Sequence, residues 1–163
     1  MSEFTTLLGT FAKAVETNDG GALAGLFTAD GTYVDYFFGP YTGAQAITEM
    51  LQHFHDGGSN YQWQFFDPVS DGRTAYARYV FSYRSILPEC LGKPVVFEGM
   101  SCFKLEDGKI KHYSEVFDRG MALAQLDFAA ERIKKSLGKW SARTLQGAEG
   151  KAHLERLRRL GAA

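Results

Sequence analysis

The sequence predicts an α+β fold in which N-terminal helices pack on a strongly curved antiparallel sheet, with a helical tail at the C-terminus. Apolar residues recur at steps of three and four in the first third of the chain and again after residue 118, which is typical of amphipathic helices. Between these regions, apolar and polar residues alternate in segments separated by turn signals, which is typical of strands. Helices that precede a run of consecutive strands favour an α+β architecture. A bent sheet wrapped around the first helix would enclose a cone-shaped pocket, the default ligand site.

Helices dominate the first part of the chain. An apolar stripe from Phe4 to Val15 predicts the first helix, and the Asn-Asp-Gly-Gly segment at 18–21 ends it. In order, we expect helices over 4–15 and 22–27, a strand over 32–38 that Gly39-Pro40 breaks, and a third helix to residue 54 that Thr42 caps.

Strands dominate the middle of the chain. Tyr61, Trp63 and Phe65 alternate with two glutamines, the clearest two-residue period in the sequence. We expect strands over 61–65, 74–87, 95–105 and 110–118, joined by a turn at 70–72, a wide loop at 88–94 and a tight hairpin turn at 106–109. These four strands form an antiparallel meander, and with the first strand they make a five-stranded sheet. Helical patterns return over 121–137 and 151–160.

The length of 163 residues suits one main domain with an extension. We expect a domain over residues 1–128 and a helical C-terminal extension over 129–163. The extension is rich in Lys and Arg, which we interpret as the solvated face of helices that pack on the domain or on a partner subunit.

Composition excludes several partners. A net charge of −1 gives no overall field that would attract nucleic acid or an anionic membrane. No apolar run reaches the length of a membrane span, and the N-terminus has no basic and apolar signal segment, so we expect a cytoplasmic protein. Cys90 and Cys102 lack metal-ligand spacing, and we expect both to be reduced.

Asp35 is the main candidate for chemistry. It interrupts a strand of β-branched and aromatic residues, where a carboxylate must face water, find a partner or shift its pKa upward. An upward shift would suit a catalytic base, whereas exposure at a strand end or a salt bridge to Arg78 are the alternatives. If Asp35 points into the pocket, Tyr33 and Phe37 share its face, because strand side chains alternate.

Asp118, at the end of the last strand, is the second candidate. Its alternative role is to cap the helix that starts at Arg119. His112 has the same strand parity as Asp118, so it could face the same cavity, although a structural histidine is the competing interpretation. Four further residues are expected to line the pocket or the core beside it: Phe11, Trp63, Phe65 and Ser101.

Several kinds of site have no signal in this sequence. There is no phosphate-binding loop, dinucleotide fingerprint or serine nucleophile elbow, which argues against kinases, dehydrogenases and serine hydrolases. His53 and His55 are two residues apart on a helix and point in nearly opposite directions, so they cannot share a metal ion. We therefore expect no metal and no cofactor.

Five short stretches carry a resemblance to a known family. They are Leu26–Asp35, Gly43–Ile47, Glu106–Ile110, Glu115–Asp118 and Leu123–Leu126. In order and spacing they resemble the SnoaL-like branch of the nuclear transport factor 2-like superfamily over roughly residues 3–128. The resemblance implies a cone-shaped α+β fold, but this superfamily holds both enzymes and binding modules, so fold alone does not fix function.

The resemblance also suggests roles for individual residues. Asp30 and Asp35 repeat a spacing seen at the general base of ketosteroid isomerase, and Asp118 matches a base of SnoaL-like cyclases. Phe11 and Ser101 fall where the isomerase has its Tyr and protonated Asp oxyanion donors. Phe11 cannot donate a hydrogen bond, which argues against steroid isomerisation of that kind.

Two functions remain open from the sequence. The first is a cofactor-free acid–base enzyme (isomerase, cyclase, dehydratase or epoxide-hydrolase type) acting on a small apolar cyclic molecule in an aromatic pocket. The second is a non-catalytic module that binds a small ligand or mediates dimerisation. We also expect a homodimer, because the outer sheet face would carry Tyr, Phe, Val and Met side chains that a monomer would expose.

Overall fold

The computed structural model describes residues 2–161 and confirms the α+β architecture. The helices are α1 (Glu3–Glu16), α2 (Gly20–Gly25), α3 (Ala44–His55), α4 (Arg119–Gln125), α5 (Ala130–Gln146) and α6 (Ala148–Gly161). The strands are β1 (Phe27–Asp35), β2 (Gly39–Thr42), β3 (Gly58–Ser70), β4 (Thr74–Ser85), β5 (Pro94–Glu106) and β6 (Lys109–Phe117). A short 3₁₀ turn, Pro88–Cys90, lies within the predicted wide loop.

The strands form one sheet in the order β2-β1-β6-β5-β4-β3. The predicted antiparallel meander is confirmed from β3 to β6. The sheet is mixed, however, because β1 pairs in parallel with β6, with Tyr33 opposite Tyr113. This pairing brings the end of β1 next to the end of β6, although more than seventy residues separate them along the chain.

The segment after Asp35 differs from the prediction. The first strand ends at Asp35 rather than at 38, the chain turns over 36–38, and Gly39 opens the additional strand β2. Pro40 is tolerated in β2 because this strand lies at the edge of the sheet and has a partner strand on one side only. Thr42 does not cap α3, whose N-cap is Gly43; the Thr42 hydroxyl instead lies 2.9 Å from that of Thr32.

Two irregularities in β3 account for bending of the sheet. The register between β3 and β4 shifts twice, and each shift contains a residue with a left-handed backbone, Asn60 (φ 56°) and Asp67 (φ 50°). Bulges of this kind increase local twist and bend the strand that carries them. Helix α1 packs against β3. The Glu16 carboxylate links the two elements by accepting the backbone N–H of Trp63 at 2.8 Å.

Phe11 is the centre of the aromatic core. It is fully buried on α1 and contacts the rings of Trp63, Tyr113 and Phe103 at centroid distances of 5.4, 5.0 and 5.9 Å. One helix is therefore held against three different strands, β3, β5 and β6, through a single side chain.

The chain divides into two compact units. The first extends to Leu126 and contains the sheet with α1 to α4; the second begins at Asp127 and contains α5 and α6. The predicted helical character of the C-terminal segment is confirmed, and neither α5 nor α6 has a buried residue. In residues 2–161 no helix combines the length and the apolar character that crossing a bilayer would require.

Candidate active site

A small cavity lies on the concave side of the sheet, between α3 and five of the strands. Eight aromatic residues and two acids line it: Tyr33, Asp35, Phe37, Phe54, Trp63, Tyr79, Phe81, Phe97, Glu115 and Phe117. About 20 Å³ is open to the centre of a water-sized sphere, enough for one water molecule. Two carboxylates therefore share a narrow aromatic enclosure.

Asp35 closes β1 at the wall of this cavity and is 5% exposed. Its Oδ1 accepts the backbone N–H groups of Phe37 and Phe38, both at 2.8 Å. Burial raises the pKa of Asp35, and the two backbone donors partly oppose that rise, as does nearby His53. Oδ2 accepts no hydrogen bond from residues 2–161, so one oxygen of the carboxylate is available to a ligand.

Glu115 on β6 is the second acid in the cavity, and the sequence analysis missed it. Its Oε2 accepts the hydroxyls of Tyr79 at 2.5 Å and Tyr113 at 3.2 Å. Burial raises the pKa of Glu115 to about 8; negative Asp35 adds to the rise, while the two tyrosine hydrogen bonds oppose it. Glu115 therefore holds a proton at neutral pH, and because both phenols donate to Oε2, the proton belongs on Oε1.

Neighbouring residues fix the positions of the two tyrosines that bond to Glu115. Tyr79 and Tyr113 are both fully buried, and burial raises the pKa of each phenol. The Ser101 hydroxyl lies 3.1 Å from that of Tyr113. Gly99 faces Tyr79 across the β4–β5 pair, and a Cβ at Gly99 would meet the Tyr79 ring and hydroxyl at 2.5 Å. The missing side chain of Gly99 is therefore what lets Tyr79 reach Glu115.

Trp63 contributes an unsatisfied donor. It lines the cavity, and its Nε1 is the one buried side-chain nitrogen or oxygen in residues 2–161 that has no hydrogen-bond partner. Buried polar atoms are rarely left unpaired, because each costs roughly 1–3 kcal/mol. The residue with this unpaired donor therefore lines the same cavity as Asp35 and Glu115.

The predicted site residues fall into three groups. Tyr33, Phe37 and Trp63 line the cavity together with Asp35, although Phe37 lies in the turn after β1 rather than on the strand. Three others lie behind this lining. Phe11 packs on Tyr33 and Trp63, and Phe65 stacks on Trp63. Ser101 forms a hydrogen bond with the Tyr113 hydroxyl.

The remaining two predicted residues lie outside the cavity lining. Asp118 is exposed and caps α4, with Oδ1 accepting the Met121 N–H at 2.9 Å; its role in chemistry stays a prediction. His112 is exposed on the opposite face of β6 from Tyr113 and Glu115, so the expectation that it faces the cavity is wrong. The prediction for His112 rested on its sharing strand parity with Asp118, but Asp118 lies beyond the end of β6.

A signal for Glu115 was nevertheless present in the sequence. Tyr113, Glu115 and Phe117 alternate, so they share a strand face, and a carboxylate between two aromatic residues is the pattern that singled out Asp35.

Other expectations can be settled from the ion pairs and cysteines. Arg78 pairs with exposed Asp67 at 3.3 Å and lies over the Phe66 ring, so the alternative of a buried salt bridge to Asp35 is wrong. Cys90 and Cys102 are both free, as predicted. No group of three or more His, Cys, Asp or Glu side chains in residues 2–161 is placed to hold a metal ion.

Comparisons with solved structures support the same fold. A hypothetical protein with a ketosteroid isomerase-like fold from Catenulispora acidiphila DSM 44928, solved with trimethylamine, is 21% identical with a TM-score of 0.69, over 77% of this chain and 95% of that one. A candidate polyketide cyclase from Xanthomonas campestris pv. campestris is 23% identical with a TM-score of 0.64, over 76% and 96%. An epoxide hydrolase from M. tuberculosis is 17% identical with a TM-score of 0.61, over 76% and 89%.

No curated protein matches the sequence. The model of the SnoaL-like domain matches residues 8–113, which include part of α1, the whole of β1 to β5 and the start of β6. This confirms the resemblance inferred from the sequence motifs. The chain belongs to the SnoaL-like domain family.

Proposed function

We propose that this protein is a small-molecule enzyme that performs cofactor-free general acid–base chemistry in the aromatic cavity. The observation that carries the proposal is the pair Asp35 and Glu115, two carboxyl groups in one enclosure with different hydrogen-bond environments. Environments that separate the pKa values of two acids assign one the role of base and the other the role of acid.

Asp35 is the base in this proposal. Its Oδ1 is held by two backbone N–H groups, which favour the ionised form, while Oδ2 is open to substrate. Oδ2 takes a proton from a carbon beside a substrate carbonyl, and negative charge develops on the carbonyl oxygen. Returning the proton to another carbon gives isomerisation; the same charge pattern also arises in cyclisation and dehydration.

Glu115 is the acid in this proposal. With its pKa at about 8, it is neutral at pH 7 and presents Oε1–H as a hydrogen-bond donor to the developing oxyanion. Ser101 and Phe11 do not supply this donor: one bonds Tyr113 and the other is apolar. The aromatic walls favour an apolar, ring-shaped substrate, because rings stack on rings. The polyketide cyclase candidate and the epoxide hydrolase among the structural neighbours are enzymes of small organic molecules, which supports this substrate class.

Proton exchange tests the proposal without knowledge of the natural substrate. A panel of small cyclic ketones is incubated with the protein in D₂O, and loss of the α-proton signals is followed by NMR. We expect exchange above the buffer rate, lowered about 100-fold or more by Asp35→Asn, since a positioned base contributes about 10²–10⁴-fold. Asp19→Asn is the matched control, because Asp19 is an exposed helix cap and Asn caps equally well.

Asp118→Asn decides between the two predicted bases. Unchanged exchange in this variant assigns Asp118 to capping α4, whereas a loss equal to that of Asp35→Asn would assign it to catalysis. If no ketone in the panel exchanges faster with protein than without, the enzyme proposal fails. A non-catalytic binding module of the same fold then becomes the better interpretation.

We further propose that the protein is a homodimer in the cytoplasm. Free cysteines suit that compartment. The outer sheet face exposes Tyr76, Val96, Met100 and Val116, each 42–57% accessible, and Met100 pairs directly with Val116. An apolar sheet face of this kind is typical of a subunit interface. Light scattering at micromolar concentration should give twice the chain mass of 18.1 kDa; a single chain mass would contradict the dimer.

A further inference from the structure

We propose that the cavity selects a ligand that carries an organic ammonium group. The inference rests on the proposed function only in taking this cavity as the ligand site, and it names the chemical class that enters it. Three features of the lining support it: the sign of its charges, its aromatic rings and the unused oxygen of Asp35.

The cavity lining carries charge of one sign. It contains two carboxyl groups, and within residues 2–161 it contains no Lys, Arg or His. His53 acts on Asp35 from α3, but its ring is exposed and lies 3.2 Å from the Asp56 carboxylate. A ligand with one positive charge would therefore neutralise the enclosure, whereas an anionic ligand would meet two acids without a counter-charge.

The remainder of the lining consists of aromatic rings. Eight of the ten lining residues are aromatic, and ring faces attract cations within about 6 Å of the centroid. Trp63 is the strongest partner of this kind, since indole has the most negative face. Such a surface solvates an alkylated ammonium group, which has apolar methyl groups around its charge.

The ammonium group also satisfies Asp35. An apolar part of a ligand placed against Oδ2 would seal this oxygen away from water with no partner, which is costly for a carboxylate. A cation beside Oδ2 compensates that charge. The enclosure has to open before a ligand enters, and Phe54 and Phe117 are two of its partly exposed lining residues.

Titration calorimetry with two probes of similar shape tests the proposal. Tetramethylammonium chloride carries a fixed charge, tert-butanol is its neutral counterpart, and sodium chloride holds the ionic strength constant. At pH 7 we expect the cation to bind about tenfold more tightly than the alcohol, within the range of cation–π recognition in a desolvated site. Asp35→Asn should remove that preference, and Asp19→Asn should keep it.

A pH series gives a second readout that does not depend on how Asp35→Asn folds. Glu115 ionises near pH 8 and adds a negative charge to the lining, while the buried phenols of Tyr33, Tyr79 and Tyr113 stay neutral because burial raises their pKa values. The affinity for tetramethylammonium should rise several-fold from pH 7 to pH 9 in the wild type. It should stay flat in Glu115→Gln, and His53→Gln should follow the wild type.

The outcomes separate this inference from the enzyme proposal. Equal affinity for the two probes, no binding of the cation, or a rise with pH that survives Glu115→Gln would each overturn the ammonium inference. Ketone exchange without cation preference leaves only the enzyme proposal standing. Cation preference without ketone exchange leaves only the ammonium inference standing.

Discussion

The protein should become less stable as pH rises, because folding keeps Glu115 protonated. The carboxyl has an ordinary pKa of 4.5 and a pKa of about 8 in the folded chain. Between these values the folded state holds a proton that the unfolded state has released, so stability from this group is complete below about pH 4.5 and is lost as pH rises through 8. The full difference corresponds to about 4–5 kcal/mol, of which about 3 kcal/mol is lost by pH 7.

Glu115→Gln isolates this effect. Glutamine has the shape of the protonated acid, can accept the tyrosine hydrogen bonds and does not titrate. Wild type and variant should therefore melt close together at pH 5, and the variant should melt about 10 °C higher at pH 9, since 1 kcal/mol shifts the melting temperature of a chain this size by about 2–4 °C. Melting curves at unit pH steps from 5 to 9 provide the measurement, and NMR titration of the Glu115 side-chain carbon gives its pKa directly.

A control variant separates local from general pH effects. Glu98 is an exposed glutamate on β5, and Glu98→Gln is the matched control for the loss of a carboxylate outside the cavity. If the difference between Glu115→Gln and wild type is constant from pH 5 to pH 9, Glu115 titrates as an ordinary surface acid. The assignment of Glu115 as a neutral donor would then be wrong.

Three further substitutions test the surroundings of this carboxyl group. Tyr79→Phe removes a 2.5 Å donor that lowers the pKa of Glu115, so the loss of stability should move to higher pH; an unmoved midpoint would contradict the hydrogen bond. Gly99→Ala places a Cβ 2.5 Å from Tyr79 and 2.7 Å from the Val116 carbonyl and should cost about 1–3 kcal/mol in urea unfolding, whereas wild-type stability would show that the strands have room. Asp35→Asn keeps the acceptor for two backbone N–H groups and removes a charge that burial disfavours, so its melting temperature should hold or rise; a fall of about 10 °C would show that the charge is stabilising.

Local patterns in the sequence predicted most of the fold. The meander from β3 to β6 is recoverable because two-residue alternation and turn residues are properties of each segment alone. Strand β2 is not, because Pro40 and Gly39 look like a break, and only pairing with β1 makes these four residues a strand. The parallel contact of β1 with β6 also depends on tertiary arrangement, since no periodicity in either strand specifies its neighbour.

One of the two acids in the candidate site, Asp35, was predictable for the same reason. Asp35 is conspicuous because a carboxylate in an apolar strand violates a local rule, and such violations concentrate at functional sites. Glu115 violates the rule equally. It was missed because the face of β6 that holds Asp118 was taken as the cavity face. The face of β6 that is buried is fixed by packing against Phe11 and Phe103, and this information lies outside the strand.

Asp35 and Glu115 gain their chemistry from being together. The charge of Asp35 is one of the causes that raise the pKa of Glu115, so the ionised base helps to keep the acid protonated. In the proposed mechanism Asp35 accepts a proton from the substrate, so that charge disappears and the pKa of Glu115 falls. Glu115 therefore becomes a stronger acid at the moment when the substrate oxygen becomes negative. The proposed mechanism thus couples proton removal by Asp35 at one point of a substrate to proton donation by Glu115 at another.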